Sequence, residues 1–157
     1  MSQSGDTWTD LPVFGKQIAG YDYQLRPGAY AVLFDAQQRL AVLRTPQGYF
    51  LPGGGAEPGE TPEETLQREV GEECGYAITG MRKLGEAVEC VFAAAEQRYF
   101  RKHGVFFVAT LASRLPQEPE SDHTLLWLTS GEAIPRLSHQ SQAWVVQQVV
   151  RAGTYAS

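Results

Sequence analysis

The order of apolar and polar positions predicts short strands arranged around two helices. Residues 21–26 alternate in character, as a half-exposed strand does. Residues 29–34, Ala-Tyr-Ala-Val-Leu-Phe, form an unbroken apolar run, the mark of a strand covered on both faces. A polar turn at 35–39 separates it from a second apolar run at 40–44, and the two together predict a hairpin. Residues 45–48 are another turn, and 49–51 a short apolar strand that stops at Pro52. The segment 53–60, Gly-Gly-Gly-Ala-Glu-Pro-Gly-Glu, reads as a loop with no room for strand or helix.

A helix is expected from Pro62 to Cys74. Thr61 suits its N-cap, Pro62 its first position and Glu64 the capping box, while Gly75 suits the C-terminal cap. Leu66, Val70 and Cys74 repeat at every fourth position and supply its apolar stripe. Two strand-like stretches follow at 78–91 and 104–111, joined by a basic turn at 98–104. Residues 115–124 are polar and contain prolines, so they predict a loop. A strand at 125–128 and a helical turn at 131–134 come next. The last helix, 138–151, turns Trp144, Val145, Val149 and Val146 inward. Strands interleaved with helices imply an α/β chain with a mixed sheet packed between helices. No repeat or linker interrupts residues 1–157, so one domain is expected, with residues 1–15 loosely ordered.

Composition changes this picture only by exclusion. No run of 18 apolar residues exists, so no membrane span is expected. The polar start has no apolar h-region, so no signal peptide is expected either. Cys74 and Cys90 have neither metal-ligand spacing nor a disulfide framework, which points to a reducing, cytoplasmic setting. The formal net charge of −5 argues against non-specific nucleic-acid binding but not against a small phosphorylated ligand.

The candidate chemistry lies on the first helix. Glu69, Glu72 and Glu73 stand at i, i+3 and i+4, which places three carboxylates on one face. Like charges so placed repel, and nothing about helix stability asks for them. A hard cation such as Mg2+ or Mn2+ would offset the repulsion, since carboxylate oxygens are its preferred ligands. On spacing alone a solvated acidic face is the other reading. The preceding glycines allow close backbone approach.

Residues 54–76 resemble the Nudix hydrolase signature, G-x5-E-x7-R-E-U-x-E-E-x-G-U, where U is bulky and apolar. Gly54, Glu60, Arg68, Glu69, Glu72, Glu73 and Gly75 stand at the seven fixed positions, with Val70 and Tyr76 at U. At about 7% per residue, a chance match at a given start is about one in 10⁸. Tyr76 departs from the aliphatic preference, and Gly71 is a mid-helix glycine costing about 1 kcal/mol against alanine.

The resemblance implies an α/β/α sandwich and hydrolysis of a nucleoside diphosphate linked to another moiety. The substrate would be a nucleoside triphosphate, a nucleotide sugar or a dinucleoside polyphosphate. It implies Glu69, Glu72, Glu73 and the Gly53 carbonyl as ligands of Mg2+ or Mn2+. Arg68 would orient Glu69, supported by Glu60, with Gly54 beside them. The catalytic base would be Glu69, Glu72 or Glu73, acting through a metal-bound water, or a further glutamate that the family often adds before a late strand. Thr124 stands where that residue is expected here, leaving Glu120, Asp122 and His123 as substitutes. Arg44, Arg98, Arg101 and Lys102 are candidate phosphate binders, and Tyr49, Phe50, Trp127 and Trp144 could stack on a base or fill the core. The N-terminal strand region could mediate a homodimer. A nucleotide-binding or regulatory module on the same fold is the alternative function.

Overall fold

In a computed structural model, which describes residues 11–153, the strand β2 (Tyr23–Leu33) organises the rest. Its side chains alternate between two cores. Ala29, Ala31 and Leu33 face one, while Tyr30 and Val32 face the other. Both faces are therefore apolar, as the run at 29–34 predicts. Helix α1 (Pro62–Cys74) closes the first core with Leu66, Val70 and Cys74. Helices α2 (Ser130–Ala133) and α3 (Gln140–Ala152) close the second with Ala133, Val145, Val146 and Val149. Trp144 packs on that core partly buried. The layers are helix, sheet, helix.

The remaining strands are β1 (Val13–Phe14), β3 (Leu40–Thr45), β4 (Gly48–Phe50), β5 (Gly53–Gly55), β6 (Tyr76–Ala93), β7 (Arg98–Arg114) and β8 (Thr124–Leu128). They form a mixed five-stranded sheet, β1-β6-β7-β2-β5, and a three-stranded sheet, β4-β3-β8. Among the described residues no helix is long and apolar enough to cross a membrane.

Four expectations need correction. The runs at 29–34 and 40–44 are not a ladder-forming hairpin. Both edges of β2 are taken, by β7 in parallel and by β5. Strand β3 therefore pairs with β4 and β8, leaving one bridge between Phe34 and Leu40. The glycines at 53–55 are a strand, because antiparallel pairing with residues 28–30 uses backbone groups alone. Residues 98–104 are the start of β7; the turn lies at 94–97, with Gln97 at φ 54°. Arg98 is exposed at the hairpin end, while Arg101 and Lys102 lie part-buried along the strand. Of the segment expected to be loose, residues 1–10 fall outside the described residues, while Val13 and Phe14 pair in parallel with β6.

The start of α3 is capped from a distance. His139 at the N-cap makes no side-chain cap bond. Instead Glu89 of β6 accepts from the Gln140 N–H (3.1 Å), the Ser141 N–H (2.8 Å) and the Ser141 hydroxyl (2.6 Å). Burial pushes the Glu89 carboxyl up, but His139 and Ser141 outweigh it and bring it down to about 2. That lies below the unfolded glutamate value of about 4.3. The cap therefore stabilises fully above that pH and loses its contribution as pH falls from about 4.3 towards 2. Glu89→Gln is expected to lower stability by about 1–3 kcal/mol at pH 7. The gap from wild type should narrow at pH 3, as measured by urea unfolding at the two pH values.

Candidate functional site

The local chemistry around α1 follows from its cap and from the three glycines. Thr61 and Glu64 form the reciprocal capping box, and Gly75 ends the helix at φ 78°. Residue Gly53 sits at φ 143°, and a side chain there would collide with the Ala29 carbonyl. A Cβ on Gly54 would lie 2.6 Å from Glu69 Oε1. With no side chains on β5, the carboxylate face of α1 closes directly on its backbone.

Arg68 gathers the site. Its guanidinium grips Glu60 through Nε (2.7 Å) and Nη2 (3.0 Å). It also donates to Glu69 Oε2 (3.0 Å), Glu72 Oε1 (3.3 Å) and the Gly55 carbonyl (2.9 Å). Glu60 in turn accepts from the Thr65 hydroxyl at 2.9 Å and the Glu57 N–H at 2.8 Å. The Arg68 hydrogen bonds, with those from Glu57 and Thr65, hold the Glu60 carboxyl down at about 2. Arg68 is held firmly cationic, chiefly by Glu60. Thr65 is fully buried and was not singled out in the sequence; a hydroxyl at a core-facing helix position is the signal that could have found it.

The carboxylates on the other side are crowded. Glu73 Oε1 accepts from the Gly53 N–H at 2.9 Å. Burial, against that bond, pushes the Glu73 carboxyl up to about 9, with Glu69, Glu120 and Glu72 adding to the rise. Burial likewise raises Glu69, despite Arg68.

The loop at 115–123 completes the cluster. It crosses the end of α1 through Leu115 N–H to the Gly75 carbonyl (2.8 Å) and Glu120 N–H to the Glu72 carbonyl (3.0 Å). A methyl on Gly71 would press on Leu115 at 3.1 Å, which accounts for the mid-helix glycine. The crossing brings Glu120 and His123 to Glu73, and one ligand atom from each of the three lies within 4.8 Å of the others. These residues could hold a metal ion. His123 Nδ1 pairs with the exposed Asp122 at 2.8 Å, so its Nε2 faces Glu73 at 4.0 Å. Thr124 begins β8, exposed and opposite Arg44.

Glu73 and His123 open onto a cleft of about 1050 Å³ that runs under α3, of a size that suits a small organic ligand. Tyr30, Phe50, Arg26, Lys102 and His139 also line it. Arg44 and Arg98 do not line it; Arg98 donates instead to Gln24 at 2.7 Å. Arg101 contacts Gln17 and Cys90. Arg26 and Tyr30 carry no motif. Only the pairing of β2 with β7 places them on the cleft. Trp127 packs on the first core, and Tyr49 and Trp144 on the second.

Gly54→Ala is expected to displace the Glu69 carboxylate and weaken divalent-cation binding about 10–100-fold. Calorimetric titration with Mg2+ or Mn2+, alongside a melting curve to confirm the fold, checks it.

The NUDIX domain family model matches residues 24–148, most of the chain. No curated protein matches the sequence. Among solved structures, a NUDIX hydrolase from Nitrosomonas europaea superposes with TM-score 0.64 at 18% identity, covering 83% of this chain and 90% of that one. The E. coli dihydroneopterin triphosphate pyrophosphohydrolase gives 0.63 at 18%, covering 83% and 99%. A UDP-X diphosphatase gives 0.60 at 22%, covering 86% and 66%. At these identities the structures share the fold. The family match rests on the chain's own residues, and it shows that this chain belongs to the Nudix hydrolases, which act on phosphoric anhydride bonds.

Proposed function

We propose that this chain is a divalent-cation-dependent pyrophosphohydrolase acting on a nucleoside diphosphate linked to a further moiety. One observation carries the reading: Glu73 lines a ligand-sized cleft and accepts from the Gly53 N–H at its glycine edge, while Arg68 holds Glu69 and Glu72 on the same face of α1. Relatives in fold are named for substrates as different as dihydroneopterin triphosphate and UDP-X, which supports the shared bond and leaves the rest of the substrate to this chain's own cleft.

The donor set fits a hard cation, all carboxylate and carbonyl oxygen with one imidazole at its margin. Glu69, Glu72, Glu73 and the Gly53 carbonyl would hold Mg2+ or Mn2+. A cation held there supplies charge neutralisation of the pyrophosphate and activation of the attacking water. Arg68 keeps Glu69 aimed at the β5 edge, and Glu60 with Thr65 keeps Arg68 from swinging away. Gly53 offers its N–H to Glu73, which fixes the strand against the helix. We assign acceptance of the proton released by the water to Glu120 or His123, because both stand beside Glu73.

Incubation with Mg2+ or Mn2+ and a panel of nucleoside triphosphates, nucleotide sugars, dinucleoside polyphosphates and capped RNA is expected to yield phosphate-ester products from at least one of them. Chelation should abolish turnover. Glu72→Gln or Glu73→Gln should lower kcat at least about 10²-fold. No turnover on any substrate, or wild-type rates in both variants, would sink the reading. Ligand binding without turnover would favour a binding module on this fold.

A further inference from the structure

The cleft has a cationic end as well as an acidic one. Arg26 on β2 and Lys102 on β7 are register partners in the parallel pair. Both line the cleft, as does Tyr30. Tyr30 is the register partner of Gly53, whose N–H holds Glu73. Its ring stacks on Phe106 and leans back along β2, so that its hydroxyl lies 3.3 Å from where a Cβ on Gly28 would stand. Along the strand, the row therefore runs from the acidic edge at Gly53, past the Tyr30 hydroxyl, to Arg26 and Lys102.

Structural ion pairing accounts for Arg26 but not for Lys102. Lys102 has no carboxylate within ion-pair distance among the described residues. Its antiparallel register partner is Glu89, but both oxygens of Glu89 are committed to the start of α3, and His139 Nδ1 lies 3.7 Å away. Arg26 is held in place, stacked over the Phe100 ring at 3.7 Å and paired with Glu96 at 3.2 and 2.9 Å. That pairing leaves Glu96 committed as well. Two neighbouring cations on adjacent strands repel, and burial, with Arg26, lowers the Lys102 amine from its ordinary value. The Tyr30 hydroxyl has no hydrogen-bond partner among the described residues. A phenol is protonated at neutral pH, so it offers an O–H donor. Three donors facing one cleft, two of them without a partner, in a chain of net charge −5, are complementary to an anion.

Distance identifies which part of a substrate they meet. Arg26 stands four residues before Tyr30, about 13 Å along the strand at ~3.3 Å per residue. A group that extends along β2 from a pyrophosphate held at the carboxylates therefore passes the Tyr30 hydroxyl on its way towards Lys102 and Arg26. We propose that Tyr30, Arg26 and Lys102 form an anion-binding wall for the group beyond the hydrolysed pyrophosphate, and that the wall selects a substrate whose linked moiety carries further phosphate over one that ends in a neutral sugar. The proposal rests on the pyrophosphohydrolase reading for where the pyrophosphate lies.

The test uses the full chain with Mg2+ and two methylene-bridged analogues that resist hydrolysis, one of a nucleoside triphosphate and one of a nucleoside diphosphate sugar. Calorimetry is expected to show tighter binding of the triphosphate analogue by wild type. Lys102→Met keeps the stem and removes the charge; it should raise the Kd for the triphosphate analogue about tenfold or more, and that for the sugar analogue less than about twofold. Tyr30→Phe should shift the same ratio in the same direction, and Lys102→Arg should restore it. Equal losses for both analogues, or no change in either, overturn the wall. Absence of Mg2+-dependent turnover with this differential intact would remove the hydrolase reading and leave the wall standing. Turnover without the differential would do the reverse.

Discussion

The approach of β5 to both β2 and α1 is the constraint on which the rest of the site depends. Three layers meet there: the central strand, a strand of glycines and the carboxylate face of a helix. A single Cβ at residue 53 would strike the Ala29 carbonyl, and one at residue 54 would strike Glu69. Without side chains, the backbone of β5 lies within hydrogen-bonding distance of Glu73 on one side and of β2 on the other. The glycines therefore act as a spacer of minimum thickness, and their role is steric before it is chemical.

Closeness of this kind concentrates charge, and Arg68 makes the concentration tolerable. Its guanidinium meets Glu60 with two donors and spends the others on Glu69, Glu72 and the Gly55 carbonyl. A lysine has no comparable planar fork. Arg68 answers the carboxylates on its own side only. Glu73 lies on the cleft side with Glu120 and His123, where burial raises its carboxyl and no cationic arginine or lysine pairs with it among the described residues. The cleft consequently has an acidic end that suits a cation and a basic end at Arg26 and Lys102 that suits an anion.

The second core sets the other wall of the cleft. Helix α3 packs on Val32, Val42 and Phe106 through Val145, Val146 and Val149. Glu89 docks its first turn to β6 and in doing so withdraws from Lys102. A capping interaction in the fold thus leaves a free cation in the cleft. The Gln142 side chain, almost fully buried, anchors the other side by accepting from the Leu51 N–H at 2.8 Å.

Much of this was legible without coordinates. The capping box, Gly75 and the fourfold apolar repeat define α1 through interactions within a few residues, and local rules act on local sequence. The acidic triad, Arg68 and Glu60 share that helix and its leading loop, so their spacing alone reports their meeting. The pairing of strands was not legible in this way. Residues 29–34 and 40–44 look like a hairpin because they are neighbours, yet β2 prefers β7, some 76 positions away, and β5. Glycines at 53–55 look like a loop because propensity sees no side chains, whereas the ladder needs none. Glu120 and His123 reach Glu73 only because a loop crosses α1 at Gly71, and Arg26 meets Lys102 only through parallel register. What the sequence determined by itself was the helix with its carboxylates and their clamp, since those contacts close over a turn or two of one element. What the tertiary structure decided was the cleft and its cationic wall, because side chains from distant strands share a face only once the sheet order is chosen, and that order follows from burying both faces of β2 at once.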